Sequence, residues 1–125
     1  MVRENDIWIS QHFRLLEFED HRTREVKIDP RIVVFLEYLR TVLGRPIFVT
    51  SGYRTPETNR EIGGAWDSRH MLGRAVDFTV DVKDLAKVGE MCRKIGFTGV
   101  EVDLDRNYIH AEIGKEFFVI KGDRK

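Results

Sequence analysis

Two histidines and an aspartate carry the chemistry that this chain could do. His70 and Asp77 lie in the run Ser68-Arg69-His70-Met71-Leu72-Gly73-Arg74-Ala75-Val76-Asp77, and His110 lies in Tyr108-Ile109-His110-Ala111-Glu112. Two imidazoles and one carboxylate are a complete protein ligand set for a catalytic zinc, whose fourth position stays open to water. Other divalent ions accept the same donors. Convergence of the three would support metal-dependent hydrolysis. Without convergence they are polar residues of an ordinary small domain.

The elements that must position them can be read from spacing and caps. Asp29 caps a first helix, Pro30 suits its first position and Gly44 stops it. Within it Ile32, Val33, Leu36, Leu39 and Leu43 recur at helical spacing. A short buried strand is expected over 46–50. A second helix opens at Thr55-Pro56-Glu57 and ends at Gly63-Gly64. A strand is expected over 74–80, and a third helix over 82–95, with Leu85, Val88, Met91 and Cys92 on one face. Strands over 99–104, 107–113 and 116–120 follow. Residues 13–18 read as a short helix or turn that packs Phe13 and Phe18 onto the core, with His12 and His21 as surface or capping residues. The tail over 121–125 is charged and expected to fray. The order of elements predicts an α+β domain, a central mostly antiparallel sheet with helices on one side.

Alternation along the strands sorts the side chains. Ile109, Ala111 and Ile113 share a face, as do Val100, Val102 and Leu104, and these faces belong against the helices. Tyr108, His110 and Glu112 on one strand, and Glu101, Asp103 and Asp105 on the other, then lie on the opposite, polar face, where Asp77 can join them because it points away from Val76 and Phe78. Between Trp66 and Gly73 the chain is polar and rich in turn formers, as at the lip of a cleft.

The 125 residues fit one domain over 1–125. Apolar residues make up 42% and charged residues 34%, enough for a core without disulfides. The formal net charge is zero, which removes any global argument for nucleic acid. The single cysteine, Cys92, reads as a core thiol. No apolar run reaches the ~20 residues of a membrane span, and the N-terminal residues lack a secretory stretch. A cytoplasmic monomer is the expectation.

The ten-residue run Ser68-x-His70-x-x-Gly73-x-Ala75-x-Asp77 resembles the signature of the zinc D-alanyl-D-alanine carboxypeptidase family. That family includes D-Ala-D-Ala dipeptidases and phage L-alanyl-D-glutamate endolysins, and is related to the hedgehog signalling domain. Ser51-Gly52-Tyr53-Arg54-Thr55-Pro56, Asn59, Gly63-Gly64-Ala65, Ile109-His110-Ala111-Glu112 and the opening Ser10-Gln11-His12-Phe13 are similar to further family segments. The resemblance covers about residues 10–114. It implies a hedgehog/D-Ala-D-Ala peptidase-like fold and one Zn2+ per chain held by His70, Asp77 and His110. It implies a peptidase acting on peptidoglycan stem peptides, of D,D-carboxypeptidase or L,D-endopeptidase type. Arg54 would bind the substrate carboxylate or the developing oxyanion, and Ser51 and Ser68 would support the site. Gly73 would let the backbone pass close to the ligand strand. Tyr53, with Tyr108, Trp66 and Met71, is a candidate for the pocket lining. A phage or prophage protein released at lysis would fit the lack of a leader.

Many family members place Glu or Asp three residues before the last ligand, where this chain has Asn107. The general base is then sought on the neighbouring strand: Asp103 first, Glu101 second and Asp105 third. The departure at Asn107 also motivates an alternative, a non-catalytic metal-bearing module on the same fold that binds peptide or cell-wall fragments.

Overall fold

The computed structural model describes residues 3–122. Three α-helices, α1 (Pro30–Leu43), α2 (Pro56–Glu61) and α3 (Leu85–Ile95), accompany five strands: β1 (Phe48–Ser51), β2 (Ala75–Thr79), β3 (Gly99–Asp103), β4 (Tyr108–Glu112) and β5 (Phe117–Lys121). The strands form one sheet in the order β1-β2-β4-β3-β5. Three neighbouring pairs are antiparallel, and β3 with β5 is parallel. The α+β architecture expected from the order of elements is the one observed.

Local chemistry accounts for the boundaries. The Asp29 carboxylate accepts from the Arg31 amide at the start of α1, and Gly44 closes the helix at φ 69°. Thr55 caps α2 by accepting from the Thr58 amide. The third helical region divides into a 3-10 turn, Val82–Asp84, and α3 proper. Phe13 and Phe18 are fully buried, and Leu15–Phe18 forms a 3-10 turn. His12 packs on α1 through a 2.6 Å contact from Nδ1 to Glu37.

The helices α1 and α3 cover one sheet face. Ile32, Leu36, Leu39, Leu85, Val88 and Cys92 pack with Val76, Phe78, Val100, Val102, Ile109 and Ala111. Burying these side chains is the main stabilising term. The expected buried strand over 46–50 differs: β1 starts two residues later and lies at the sheet edge, where Phe48 is 61% exposed. Lys121 ends β5 rather than fraying, and residues 123–125 lie outside the described residues.

The polar face is tied to the rest by close backbone contact at Gly52. A Cβ there would lie 2.5 Å from the Phe18 carbonyl oxygen and 2.6 Å from its Cα. That carbonyl also accepts from the Tyr53 amide at 2.8 Å. Gly52→Ala is expected to force the two segments apart and to cost about 2 kcal/mol. Thermal unfolding followed by circular dichroism should show a Tm lower by about 6–10 °C; an unchanged Tm would rule out this contact as a constraint.

Candidate active site

Strand register builds the centre. Asp77 on β2 pairs with His110 on β4, and His110 pairs with Glu101 on β3, so three side chains form one row across adjacent strands. Ser51 on β1 extends the row beside Asp77. His70 arrives from outside the sheet, on the 3-10 turn Arg69–Leu72. Ser68 starts that turn by accepting from the His70 amide at 3.2 Å. The His70 carbonyl accepts from the Arg54 amide at 3.1 Å. Gly73 ends the turn at φ 69°, and a Cβ there would lie 2.6 Å from the Lys27 carbonyl oxygen. The close approach Gly73 permits is thus to the segment before α1, not to the ligand strand.

The three side chains expected to converge do so. One donor atom of each of His70, Asp77 and His110 lies within 4.8 Å of the other two. Asp77 Oδ1 is 3.2 Å from His70 Nε2 and 2.8 Å from His110 Nδ1. Ligand atoms around a tetrahedral zinc are separated by about 3.3 Å, from Zn–N and Zn–O distances near 2.0 Å.

The outer ring nitrogens are already engaged. His70 Nδ1 lies 2.7 Å from the Gly52 carbonyl, which can only accept, so Nδ1 carries a proton. That leaves Nε2 facing the Asp77 carboxylate, where a shared cation could sit between the two. His110 Nε2 lies 2.8 Å from Glu112 Oε1, leaving Nδ1 for the centre. Metal-ligating histidines are oriented in this way by an acceptor on the far nitrogen. The donor set therefore fits a divalent ion.

Electrostatics point the same way. Burial alone would lower the His110 pKa, but its hydrogen bonds to Asp77 and Glu112 override this and raise it to about 9. Burial would raise the Asp77 pKa, but hydrogen bonds from both imidazoles hold its carboxyl well below the usual range. For Glu112, too, burial would raise the pKa, but the His110 bond and charge, the Lys115 amide and the Arg69 charge together lower it. Two ionised carboxylates around one imidazole stabilise positive charge between them, as a proton or as a metal ion.

A cavity of about 640 Å³ opens over this row, lined by Arg54, Asp67, Ser68, Arg69, Glu101, Tyr108, Glu112, Lys115, Phe117 and Lys121 together with the three central residues, among others. Segment 66–73 contributes Asp67 to His70 and so forms part of its lip. Arg54 stands 3.6 Å from Asp77 Oδ2 and donates to Asn59 Oδ1 at 3.3 Å. Burial draws its pKa below the ordinary value against the pull of Asp77.

The structure separates the candidate bases. Asp103, the first choice on sequence, is buried, and its Oδ1 accepts from the amides of Asp105 and Arg106. It caps the turn between β3 and β4 and does not line the cavity. Asp105 is in that turn. Glu101 does line the cavity, directly across from His110, with Oε2 accepting from the Tyr108 hydroxyl at 3.4 Å and Oε1 3.4 Å from Lys121 Nζ. Tyr53 is only 7% exposed, under the Lys27 ammonium, and outside the cavity. Ser51 also lies outside the lining. Trp66 is 88% exposed.

Glu112 was not singled out from the sequence. Strand alternation puts its side chain on the face of His110, but alternation alone assigned it no role. Asp67, Arg69, Lys115, Phe117 and Lys121 also line the cavity without having been singled out.

The model of the family described as Peptidase M15 matches residues 11–112. Over 66 residues, 52% of this chain and 26% of the relative, the sequence is 35% identical to "Zinc D-Ala-D-Ala carboxypeptidase" of Streptomyces albus G. Over 104 residues, 76% of this chain and 56% of the relative, it is 33% identical to "Probable peptidoglycan L,D-endopeptidase MepK" of Haemophilus influenzae. The chain thus spans about a quarter and just over half the length of these two relatives. The matched stretch takes in Arg54, His70, Asp77, Glu101, His110 and Glu112, so the residues that converge at the cavity are those of a chain that belongs to the peptidase M15 family.

Proposed function

We propose that this chain is a zinc-dependent peptidase that hydrolyses peptide bonds in peptidoglycan stem peptides, as a D,D-carboxypeptidase or an L,D-endopeptidase. His70, Asp77 and His110 would hold one zinc ion per chain, with His70 Nε2, an Asp77 carboxylate oxygen and His110 Nδ1 facing the centre. The observation that carries the reading is the meeting of both inner ring nitrogens on Asp77 Oδ1 while Gly52 and Glu112 occupy the outer ones. The names of the two relatives support the substrate class.

Zinc held there supplies Lewis acidity, polarising a carbonyl and making water acidic enough to attack near neutral pH. The protein does the rest. Glu101 takes the proton of the attacking water at a carboxylate oxygen and returns it to the leaving amine. Arg54, partly desolvated and anchored by Asn59 and Asp77, directs N–H groups at the substrate carboxylate or the developing oxyanion, where a guanidinium can bond in pairs. Tyr108 orients Glu101 through its hydroxyl.

The test is hydrolysis of defined muropeptides by chain freed of metal with a chelator and then given one equivalent of zinc, with products separated by chromatography. Release of D-alanine, or cleavage at an L,D bond, should appear only after zinc is returned. Peptide binding without cleavage at any bond would favour the non-catalytic module and overturn the peptidase.

A further inference from the structure

Four cations line the cavity: Arg54, Arg69, Lys115 and Lys121. Three have a carboxylate of the same cavity as partner. Arg54 meets Asp77 at 3.6 Å, Lys121 meets Glu101 at 3.4 Å, and Lys115 pairs with Asp67. Arg69 differs. Among the described residues no carboxylate lies within 4.0 Å of its guanidinium. The hydrogen bond its side chain makes is a 3.4 Å contact from Nη1 to the Asp67 carbonyl.

The nearby acids are already engaged. Glu112 serves His110 and the Lys115 amide, and Asp67 serves Lys115. Both feel the Arg69 charge only from beyond ion-pair distance. The arm is laid along Gly114, where any Cβ would collide with Nε. A half-buried guanidinium with most of its five donors unused, held on the rim of a peptide cavity, is suited to a planar anion. The charge count agrees: four cations face Asp67, Asp77, Glu101 and Glu112, so a bound divalent ion leaves the cavity net positive.

We propose that Arg69 is a specificity-determining residue that binds a free carboxylate of the peptide substrate, so that the cavity selects acidic peptides over their amidated counterparts. The inference rests on the peptidase reading for its substrate, but not on turnover.

The probes are L-Ala-γ-D-Glu-L-Lys-D-Ala-D-Ala, the same peptide with the glutamate α-carboxylate converted to an amide, and the same peptide with a C-terminal amide. Zinc-loaded wild type and Arg69→Gln are compared. Where the peptides are cleaved, preference is the ratio of kcat/KM values; where they are not, it is the ratio of Kd values from calorimetry. Wild type should prefer the free acid to one of the two amides by about tenfold, the equivalent of 1.4 kcal/mol. Arg69→Gln should bring that ratio close to one while leaving the value for that amide unchanged. The amide that shows the effect identifies the carboxylate that Arg69 holds. A preference that survives in Arg69→Gln, no preference in wild type, or no binding of any peptide overturns the inference. Discrimination in Kd that depends on Arg69 without cleavage keeps the inference and sinks the peptidase reading. Equal cleavage of all three peptides by both proteins does the reverse.

Discussion

Asp77→Ala, prepared without a polyhistidine tag, is expected to lower bound zinc from near one ion per chain to a small fraction of that. The apparent zinc affinity should fall by more than about 100-fold, beyond what loss of an outer orienting partner costs. Hydrolysis should fall at least about 1000-fold, a loss of roughly 4 kcal/mol of transition-state stabilisation. The reason is geometric. Asp77 Oδ1 is the atom on which both imidazoles converge, at 2.8 and 3.2 Å, and among the described residues no other carboxylate bonds to both of them. Its backbone is a central strand paired on both sides, so the sheet should persist. Elemental mass spectrometry gives the metal content, and far-ultraviolet circular dichroism checks the fold. Full zinc content in a folded Asp77→Ala would remove this residue from the ligand set.

Glu101→Gln is expected to keep zinc but lose kcat by about 100- to 10,000-fold, the usual contribution of a general base. The amide keeps the shape and can still meet Tyr108, but it cannot take a proton from water. Asp103→Asn should act differently. Its side-chain oxygen can still accept from the Asp105 and Arg106 amides, so kcat should change by less than about threefold. Steady-state kinetics of both variants, each checked for metal content, decide between the carboxylates. A large loss in Asp103→Asn with little in Glu101→Gln would reverse the assignment.

The contrast between those two residues shows what the sequence carried. Alternation alone placed Asp77, His110, Glu101 and Asp103 on the polar face, because a strand has a period of two whatever its partners. It did not say which acid faces His110. That depends on register, which is set by the four-residue connection 104–107, closed by Asn107 at φ 58°. The connection itself held a clue, since an aspartate ahead of Leu-Asp-Arg-Asn is the composition of a turn in which the carboxylate accepts from following amides. Caps were legible for the same local reason: Asp29, Gly44 and Thr55 act on their immediate neighbours. The edge position of β1 was not, because the apolar run Ile47-Phe48-Val49 looks like a central strand until the order of the sheet is known. Tyr53 adjoins Arg54 in sequence, yet points into the core while Arg54 reaches the cavity. Convergence of His70 with residues 7 and 40 positions further on followed from the family resemblance, not from periodicity.

The two histidines are steadied by partners of different kinds. His70 leans on a main-chain carbonyl, that of Gly52, while His110 leans on a carboxylate, that of Glu112. The strength with which an imidazole donates to a metal follows the acceptor on its far nitrogen. One of these settings is a main-chain carbonyl, which a replacement at position 52 can alter only by moving the backbone against Phe18. The other is a single exchangeable residue. Electron supply to the centre is therefore adjustable through position 112 without displacing the backbone, which gives evolution or an engineer a dial on reactivity that leaves all three ligands in place.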